Sequence, residues 1–317
     1  MSSRYKVAIN RLKNSINYIS SEYHCRKTRI WIDALWSYIR YGVTPAEYIG
    51  FGFYKWGGLT KKQFYTARHS YKFEKLFNDP AYKNIFWDKE KFNEEFREWV
   101  NRDWIFCGNS SKENVEKFLN NHPSVIVKPT SLSSGHGIHK FNEEKDSVVI
   151  LIKEKCLLEE FVTQHHEMAK LNPTSVNTIR VYTVMDKKGQ VHILTASIRV
   201  GGSGAVVDNY HSGGVGYPLD VKSGVVCGAG VDINGTEHLF HPGNDEKVIG
   251  FQVPNWDGLC EFIFSACKHL KGARLIAWDV AVLEDGFEMI EGNYEGDPGF
   301  MQSPSKKGMY YQILRCK

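Results

Sequence analysis

The chain has 317 residues, of which 42% are hydrophobic and 24% charged, and a net charge of +4. That is enough length and apolar content for one large domain or two moderate ones with a sizeable core, which excludes wholesale disorder. So small a positive excess gives no global sign of nucleic-acid binding, and no apolar run reaches membrane-spanning length.

The charge is uneven along the chain. Arg4, Lys6, Arg11, Lys13, Arg26, Lys27, Arg29 and Arg40 face only Glu22 and Asp33 over the first forty or so positions. Within that stretch Trp31, Ile32, Leu35, Trp36 and Ile39 fall on one face of a helix. The expectation is an amphipathic helix packing that face on the rest of the protein; the alternative is peripheral contact of this basic region with an anionic membrane surface. Aromatic-rich helices are expected from Tyr5 to Trp99, interrupted at Gly42, Gly57-Gly58 and Asp79-Pro80. Met1 is not followed by the apolar stretch of a signal peptide, so the expected location is cytoplasmic. Seven scattered cysteines without a CxxC pair suit reduced thiols, with Cys156, Cys260 and Cys267 in the core.

From about residue 100 the texture changes to short β-branched runs separated by Gly, Pro and Asn. Ser124–Lys128, Val148–Ile152 and Leu157–Val162 read as strands. Thr178–Met185 and Val191–Val200 read as antiparallel neighbours joined across Asp186–Gln190. Trp256–Lys271 is a helix burying Leu259, Phe262, Ile263 and Ala266, and Ala277–Leu283 pairs with Phe287–Glu291 across Glu284-Asp285-Gly286. Helices mixed with largely antiparallel strands define an α+β class.

The last hairpin carries the first chemistry. Alternation puts Glu291 and Asn293 on one side of their strand, and pairing brings Asp279 opposite them. Converging carboxylates beside an apolar strand pair repel unless a cation offsets them, and hard oxygen ligands suit Mg²⁺. Upstream, VIVKPTSLSSGHGI delivers Lys128 from a strand into a loop of small residues, where Gly135 and Gly137 let backbone N–H groups approach phosphates. No GxxxxGK run is present, and Gly202-Ser203-Gly204 lacks the third glycine of a dinucleotide fingerprint. In LLEEFV, the segment Glu159-Glu160-Phe161-Val162 offers backbone groups to a purine edge and Phe161 or Leu158 to its face. His165 and His166 are adjacent and diverge on one regular element, so a histidine metal site is not expected. Arg180 and Arg199 lie in apolar strands and need an anion, either phosphate or an internal carboxylate such as Glu291.

These elements, in this order, resemble the ATP-grasp superfamily, and within it the sugar-transfer-associated branch found with polysaccharide biosynthesis; VNTIRV, DNYHSGGVG and DVAVLEDGFEMIEGN carry the likeness. The resemblance implies two α+β subdomains gripping ATP: a helical region at 1–85, then an ATP-grasp domain at 86–317, divided into a nucleotide and lid part (86–162) and a metal and substrate part (163–317). It implies that Lys89 and Lys128 hold nucleotide phosphates, that Ser133, Ser134, Gly135, His136 and Gly137 form the phosphate lid, and that Glu159, Glu160, Phe161 and Val162 form the adenine hinge. Glu167 (or His166) would lie near ribose, and Asp279, Glu291 and Asn293 would hold Mg²⁺. Arg180 would contact the transferring phosphoryl group, with Lys128 and Arg199 completing the catalytic set; Asn177, Asp208, Asn209, Gly213 and Gly214 would line the acceptor side.

The activity so implied is an ATP- and Mg-dependent carboxylate–amine ligase acting through an acyl phosphate. Its substrates would be a small carboxylate and an amine, among them a carboxylated sugar or a lipid-linked one. An ATP-grasp kinase acting on a sugar hydroxyl, or a nucleotide-binding module without turnover, are the alternatives.

Overall fold

The structure is a computed structural model that describes residues 3–130, 137–202, 213–242, 247–294 and 296–317. Its first part is helical, with α1 (Ser3–Glu22), α2 (Lys27–Tyr41), α3 (Pro45–Gly50), α4 (Gly58–Lys61) and α5 (Ala67–Phe77) joined by short turns. Gly42 ends α2 in the left-handed region (φ 66°), its N–H bonded to the Tyr38 carbonyl, and Thr44 with Glu47 forms a reciprocal cap on α3. Ile16 and Ile19 of α1, Ile30 and Ala34 of α2, and the aromatics Tyr48, Phe51, Phe53 and Phe64 form one apolar cluster.

The helix α2 enters that cluster through Ile30, Ala34 and Ser37. The face expected to be buried (Trp31, Ile32, Leu35, Trp36 and Ile39) is turned outward and exposed. Size and charge explain the reversal. Ala34 and Ser37 allow close helix approach, and Asp33, at the border of that narrow stripe, is held by Lys61 (2.6 Å) and the Tyr48 hydroxyl (2.8 Å).

After α6 (Lys83–Trp87) and α7 (Lys89–Glu95), the chain builds a four-stranded sheet from β1 (Trp104–Phe106), β2 (Val125–Lys128), β3 (His139–Lys140) and β4 (Leu157–Glu160), with α8 (Lys112–Asn121) and α9 (Val148–Lys153) between strands. The strand order is β1-β4-β2-β3, all antiparallel. Val115 and Phe118 of α8 and Leu151 of α9 cover Val125, Val127 and Leu158. The strand expected at Val148–Ile152 is therefore a helix. Ser147 caps it by accepting from the Ile150 N–H (3.3 Å), and burial follows a helical period, with Leu151 inside and Val149 65% exposed. The β-branched composition yields to cap and packing.

The remainder forms α10 (His166–Leu171), β5 (Ile179–Met185), β6 (Val191–Val200), β7 (Val215–Leu219), β8 (Gly230–Val231), β9 (Glu237–His238), α11 (Trp256–His269), β10 (Leu275–Leu283), β11 (Gly286–Asn293), α12 (Pro298–Gln302) and α13 (Tyr310–Arg315). These strands make a seven-stranded antiparallel sheet in the order β11-β10-β5-β6-β7-β8-β9. Both expected hairpins are present, β5 with β6 and β10 with β11. Alternation sends Ile179, Val181, Ile198, Trp278 and Val280 to the face covered by Leu259 and Ile263 of α11. Tyr182, Val184, Leu275 and Ala277 point the other way, against Phe73 and Phe77 of α5 and Phe300 and Met301 of α12.

The helical region is thus part of the large sheet's packing, and its contacts run on past residue 85. Gln302 accepts from the Tyr65 N–H (2.9 Å) and donates to its carbonyl (2.6 Å). The Asn78 amide accepts from Leu275 N–H (2.8 Å) and donates to Tyr294 O (2.8 Å). The architecture is the α+β one expected. Among the described residues no helix is long and apolar enough to cross a membrane.

Candidate active site

The site begins with register. Asp279 on β10 pairs with Arg180 of β5 on one side and with Glu291 of β11 on the other. The hairpin shifts register between Asp279 and Val280, so pairing passes from Glu291 to Met289; such a bulge re-aims side chains at a strand end. By strand alternation Arg180 and Asp279 share the face of Tyr182 and Ala277. The Arg180 guanidinium grips Asp279 with two bonds, Nε to Oδ1 and Nη2 to Oδ2, the second at 2.6 Å. Arg199 adds a third, Nη1 to Oδ2 at 2.9 Å. Arg180 Nη2 also lies 3.7 Å from Glu291 Oε1, which accepts from the Asn293 amide at 3.3 Å.

The electrostatics follow. Burial alone raises the Asp279 pKa, but Arg180 and then Arg199 outweigh it and hold the carboxyl well below the usual range. Glu291 is shifted upward, first by desolvation, tempered by its half-exposed side chain, and then by the neighbouring Asp279 charge. A carboxylate offers about four lone-pair positions, and three of those on Asp279 are engaged. The fourth faces Glu291, which lies within hydrogen-bond reach of Asp279; a hard divalent cation bound through oxygen would replace the proton shared by these two carboxylates, with the Asn293 amide beside them.

A second charged group sits at the seam of the two sheets. Lys128, at the end of β2, is ion-paired with Glu159 of β4. Glu159 also accepts from Arg102 Nη2 (2.9 Å) and Asn93 Nδ2 (3.1 Å). Arg102 reaches the large sheet as well, donating to Glu288 Oε1 (2.5 Å) and to the Met289 carbonyl (2.7 Å). Burial raises the Glu159 pKa, yet Arg102 and Lys128 win and hold it far below the normal range. Lys89, at the start of α7, links the two groups electrostatically. Burial lowers its ammonium pKa, Glu291 and Glu159 pull it up, and Lys128 pushes it down. The two expected nucleotide lysines, Glu159 and Glu291 therefore lie within electrostatic reach of one another.

The other expected residues fall in several places. Ser133, Ser134, Gly135, His136, Asp208 and Asn209 lie outside the described residues. Gly137 (φ 78°) and Gly213 (φ 97°) take left-handed conformations, and Gly214 leads into β7. The Glu160 carboxylate accepts from the Asp103 N–H (3.3 Å), and the Lys140 ammonium covers the Phe161 ring at 4.1 Å, with Val162 next along the chain. Glu167 opens α10 paired to Lys170 (2.6 Å). His165 and His166 do not diverge. His165 is the cap of α10 and not part of it, so their rings stack at 4.4 Å beside Glu284. Asn177, expected on the acceptor side, is 0% exposed; its amide braces a loop by donating to Met168 O (2.8 Å) and Asn172 O (2.9 Å).

Sequence reasoning missed Arg102, Glu288 and Asn93. Little in the sequence signals Arg102, which stands between Asn101 and Asp103, whereas Arg180 and Arg199 are flanked on both sides by apolar strand residues.

A helical region, a small antiparallel sheet and a large one, with lysines, guanidiniums and carboxylates gathered near their junction, define an ATP-grasp architecture. Residues 152–315, more than half of the chain, match the family described as sugar-transfer associated ATP-grasp, and the chain belongs to that family. No curated protein matches it. Among solved structures it is similar to the ATP-grasp ligase PsnB complexed with a phosphomimetic variant of a minimal precursor, Mg and ADP (13% identity, 76% of this chain and 60% of that one, TM-score 0.48). It is also similar to D-alanine–D-alanine ligase from Helicobacter pylori (14%, 74% and 61%, 0.44) and to N5-carboxyaminoimidazole ribonucleotide synthetase from Thermotoga maritima (13%, 78% and 56%, 0.44). The alignment thus spans about 60% of the length of PsnB.

Proposed function

We propose that this protein is an ATP- and magnesium-dependent ligase that forms ADP, joining a carboxylate to an amine through an acyl phosphate. The observation that carries the reading is the half-open charge cluster: Asp279 clamped by Arg180 and Arg199, with Glu291 and Asn293 left as oxygen donors beside it. Family membership agrees with it. In this reading Lys89 and Lys128 neutralise nucleotide phosphates, Glu159 to Val162 bound the adenine through their backbone, and Glu167 serves the ribose. Asp279, Glu291 and Asn293 hold magnesium, which supplies charge neutralisation on the phosphates when bound.

The chain's own residues do the rest. A carboxylate oxygen of the substrate attacks the γ-phosphorus, the bond to the β,γ-bridging oxygen breaks and ADP leaves. Arg180 and Arg199 stabilise the charge spread over the equatorial oxygens. The amine then attacks the acyl carbon, inorganic phosphate departs, and the amine's proton passes to solvent. The lid at Ser133 to Gly137 excludes water meanwhile. In this reading Gly213 and Gly214 border the acceptor side, and the family's association with sugar transfer supports a carboxylated sugar as the acid, joined to an amino acid or other amine.

The test is product analysis with uronic acids and amino acids supplied in pairs. ADP and phosphate should appear fully only when both are present, and hydroxylamine should trap the activated acyl group as a hydroxamate. A stable phosphate ester with no hydroxamate would make the enzyme a kinase, and AMP as product would contradict both.

A further inference from the structure

The outward face of α2 has an order that a core helix does not need. Stepping round the helix at about 100° per residue, the exposed arc runs from Trp31 through Leu35, Ile39 and Ile32 to Trp36. Ile32 is 69% exposed and Leu35 62%. Tyr38, also exposed, and then Lys27 lie outside the Trp31 edge, and Arg29 and Arg40 lie just outside the Trp36 edge. The aliphatic side chains, with Thr28 among them at the N-terminal end, thus occupy the middle of the arc, aromatic rings its borders, and cations lie beyond both sides. The one acid of the helix, Asp33, is turned toward Lys61 and Tyr48.

Nor is the helix loose. Ile30, Ala34 and Ser37 anchor its inner stripe. At its C-terminal end the Arg68 guanidinium donates to the carbonyls of Ile39 (3.0 Å), Tyr38 (3.3 Å) and Arg40 (3.3 Å). Gly42 is required there, because a Cβ at φ 66° would strike the Arg68 side chain at 2.4 Å. A preformed helix that holds large apolar side chains in water has a standing gain from any surface that takes them out of it.

We propose that this face of α2 docks the protein on an anionic lipid bilayer, with Leu35, Ile39 and Ile32 entering the acyl boundary. Trp31 and Trp36 sit at headgroup depth, where an apolar ring with a polar N–H is best placed. Lys27, Arg29 and Arg40 meet the negative headgroups. Charge complementarity selects this occupant: both borders of the apolar arc are cationic. A face made to bind a second copy of itself would set those cations against one another. The inference rests on α2 alone and stands or falls apart from the ligase reading.

Flotation of the full chain with vesicles decides it. The protein should rise with vesicles of phosphatidylcholine mixed with phosphatidylserine, weakly with phosphatidylcholine alone, and less as salt is raised. Leu35→Glu should lower the bound fraction about tenfold, with far-ultraviolet circular dichroism and the thermal midpoint unchanged, because the site is already exposed. The pair Arg29→Glu and Arg40→Glu should erase the preference for phosphatidylserine while keeping the weak binding. The proposal fails if the wild type stays with the soluble fraction, or if Leu35→Glu floats as well as the wild type. It also fails if binding ignores phosphatidylserine, or if Leu35→Glu only dissociates a dimer seen by sedimentation.

Discussion

Two buried charge clusters of nearly the same composition lie in this molecule, and they differ in one respect. At the seam of the sheets, the side chains of Arg102, Glu159 and Glu288 are 3%, 4% and 2% exposed. Their carboxylate oxygens are engaged by Arg102, Lys128, Asn93 and the Asn101 N–H. At the strand ends Arg180, Arg199 and Asp279 repeat the guanidinium–carboxylate theme, but Glu291 beside them is 48% exposed and only partly satisfied. A buried ion pair by itself is weak grounds for either stability or function. The closed cluster is a strut tying the two sheets together; the open one has donor capacity left for a ligand. Openness, not charge, separates the two.

The comparison breaks most easily at the strut. Arg102→Ala leaves Glu159 and Glu288 buried without their shared cation, and stability should fall by about 3–5 kcal/mol, read by urea denaturation. A loss below about 1 kcal/mol, the range of an exposed pair, would mean that water reaches the seam. At the open cluster the effect should move from stability to rate. Glu291→Gln keeps the shape and removes one ligand charge, so ADP release should drop about 100-fold, or about 2.7 kcal/mol on the barrier, with the unfolding midpoint nearly unchanged. Asp279→Asn is the poorer test, because it also leaves Arg180 and Arg199 facing each other. Lys128 belongs to both worlds. Lys128→Met should weaken binding of a non-hydrolysable ATP analogue about tenfold, or about 1.4 kcal/mol, by calorimetric titration, while Arg102 and Asn93 keep Glu159 satisfied.

The open cluster was largely legible in the sequence because hairpin register is a local property. Read as a three-residue loop, Glu284-Asp285-Gly286 sets Asp279 against Glu291, and alternation brings Asn293 along; in the structure Gly286 already pairs with Leu283, and the register shift after Asp279 restores the pairing. The anion needed by Arg180 and Arg199 was foreseen, but with Glu291 as the internal example, whereas Asp279 takes both guanidiniums. The strut was not foreseen, since Arg102, Glu159 and Glu288 are distant in sequence and meet only through packing of two sheets. The orientation of α2 was illegible for a related reason. A pattern shows that a helix has a bulky apolar stripe and a small one, but not which of them the rest of the chain covers, and here Ala34 and Ser37 won. The burial of Asn177 was illegible too, since nothing in its motif says that its amide closes a loop.

Acid should separate the two clusters in the same tube. Glu159 is held far below its ordinary pKa of about 4.3. A depressed carboxyl stabilises the fold above the unfolded value, and that contribution drains away only as pH falls below it. Glu291 is shifted the other way. A proton on Glu291 competes with a cation for the same oxygens, so the magnesium needed for half-maximal ADP release should rise as pH falls through its raised pKa. That happens at a pH above the one where Glu159 begins to lose its partners. The expected order on acidification is therefore a growing magnesium requirement first, with circular dichroism still native, and unfolding later. Glu291→Gln, which cannot titrate there, should show whatever residual turnover it has with a flat magnesium requirement across that first range. The shift is the smallest effect argued here, because solvent screens the half-exposed side chain. A magnesium requirement that stays constant in the wild type until the circular dichroism signal itself collapses would remove Glu291 from the ligand set and leave both clusters as struts.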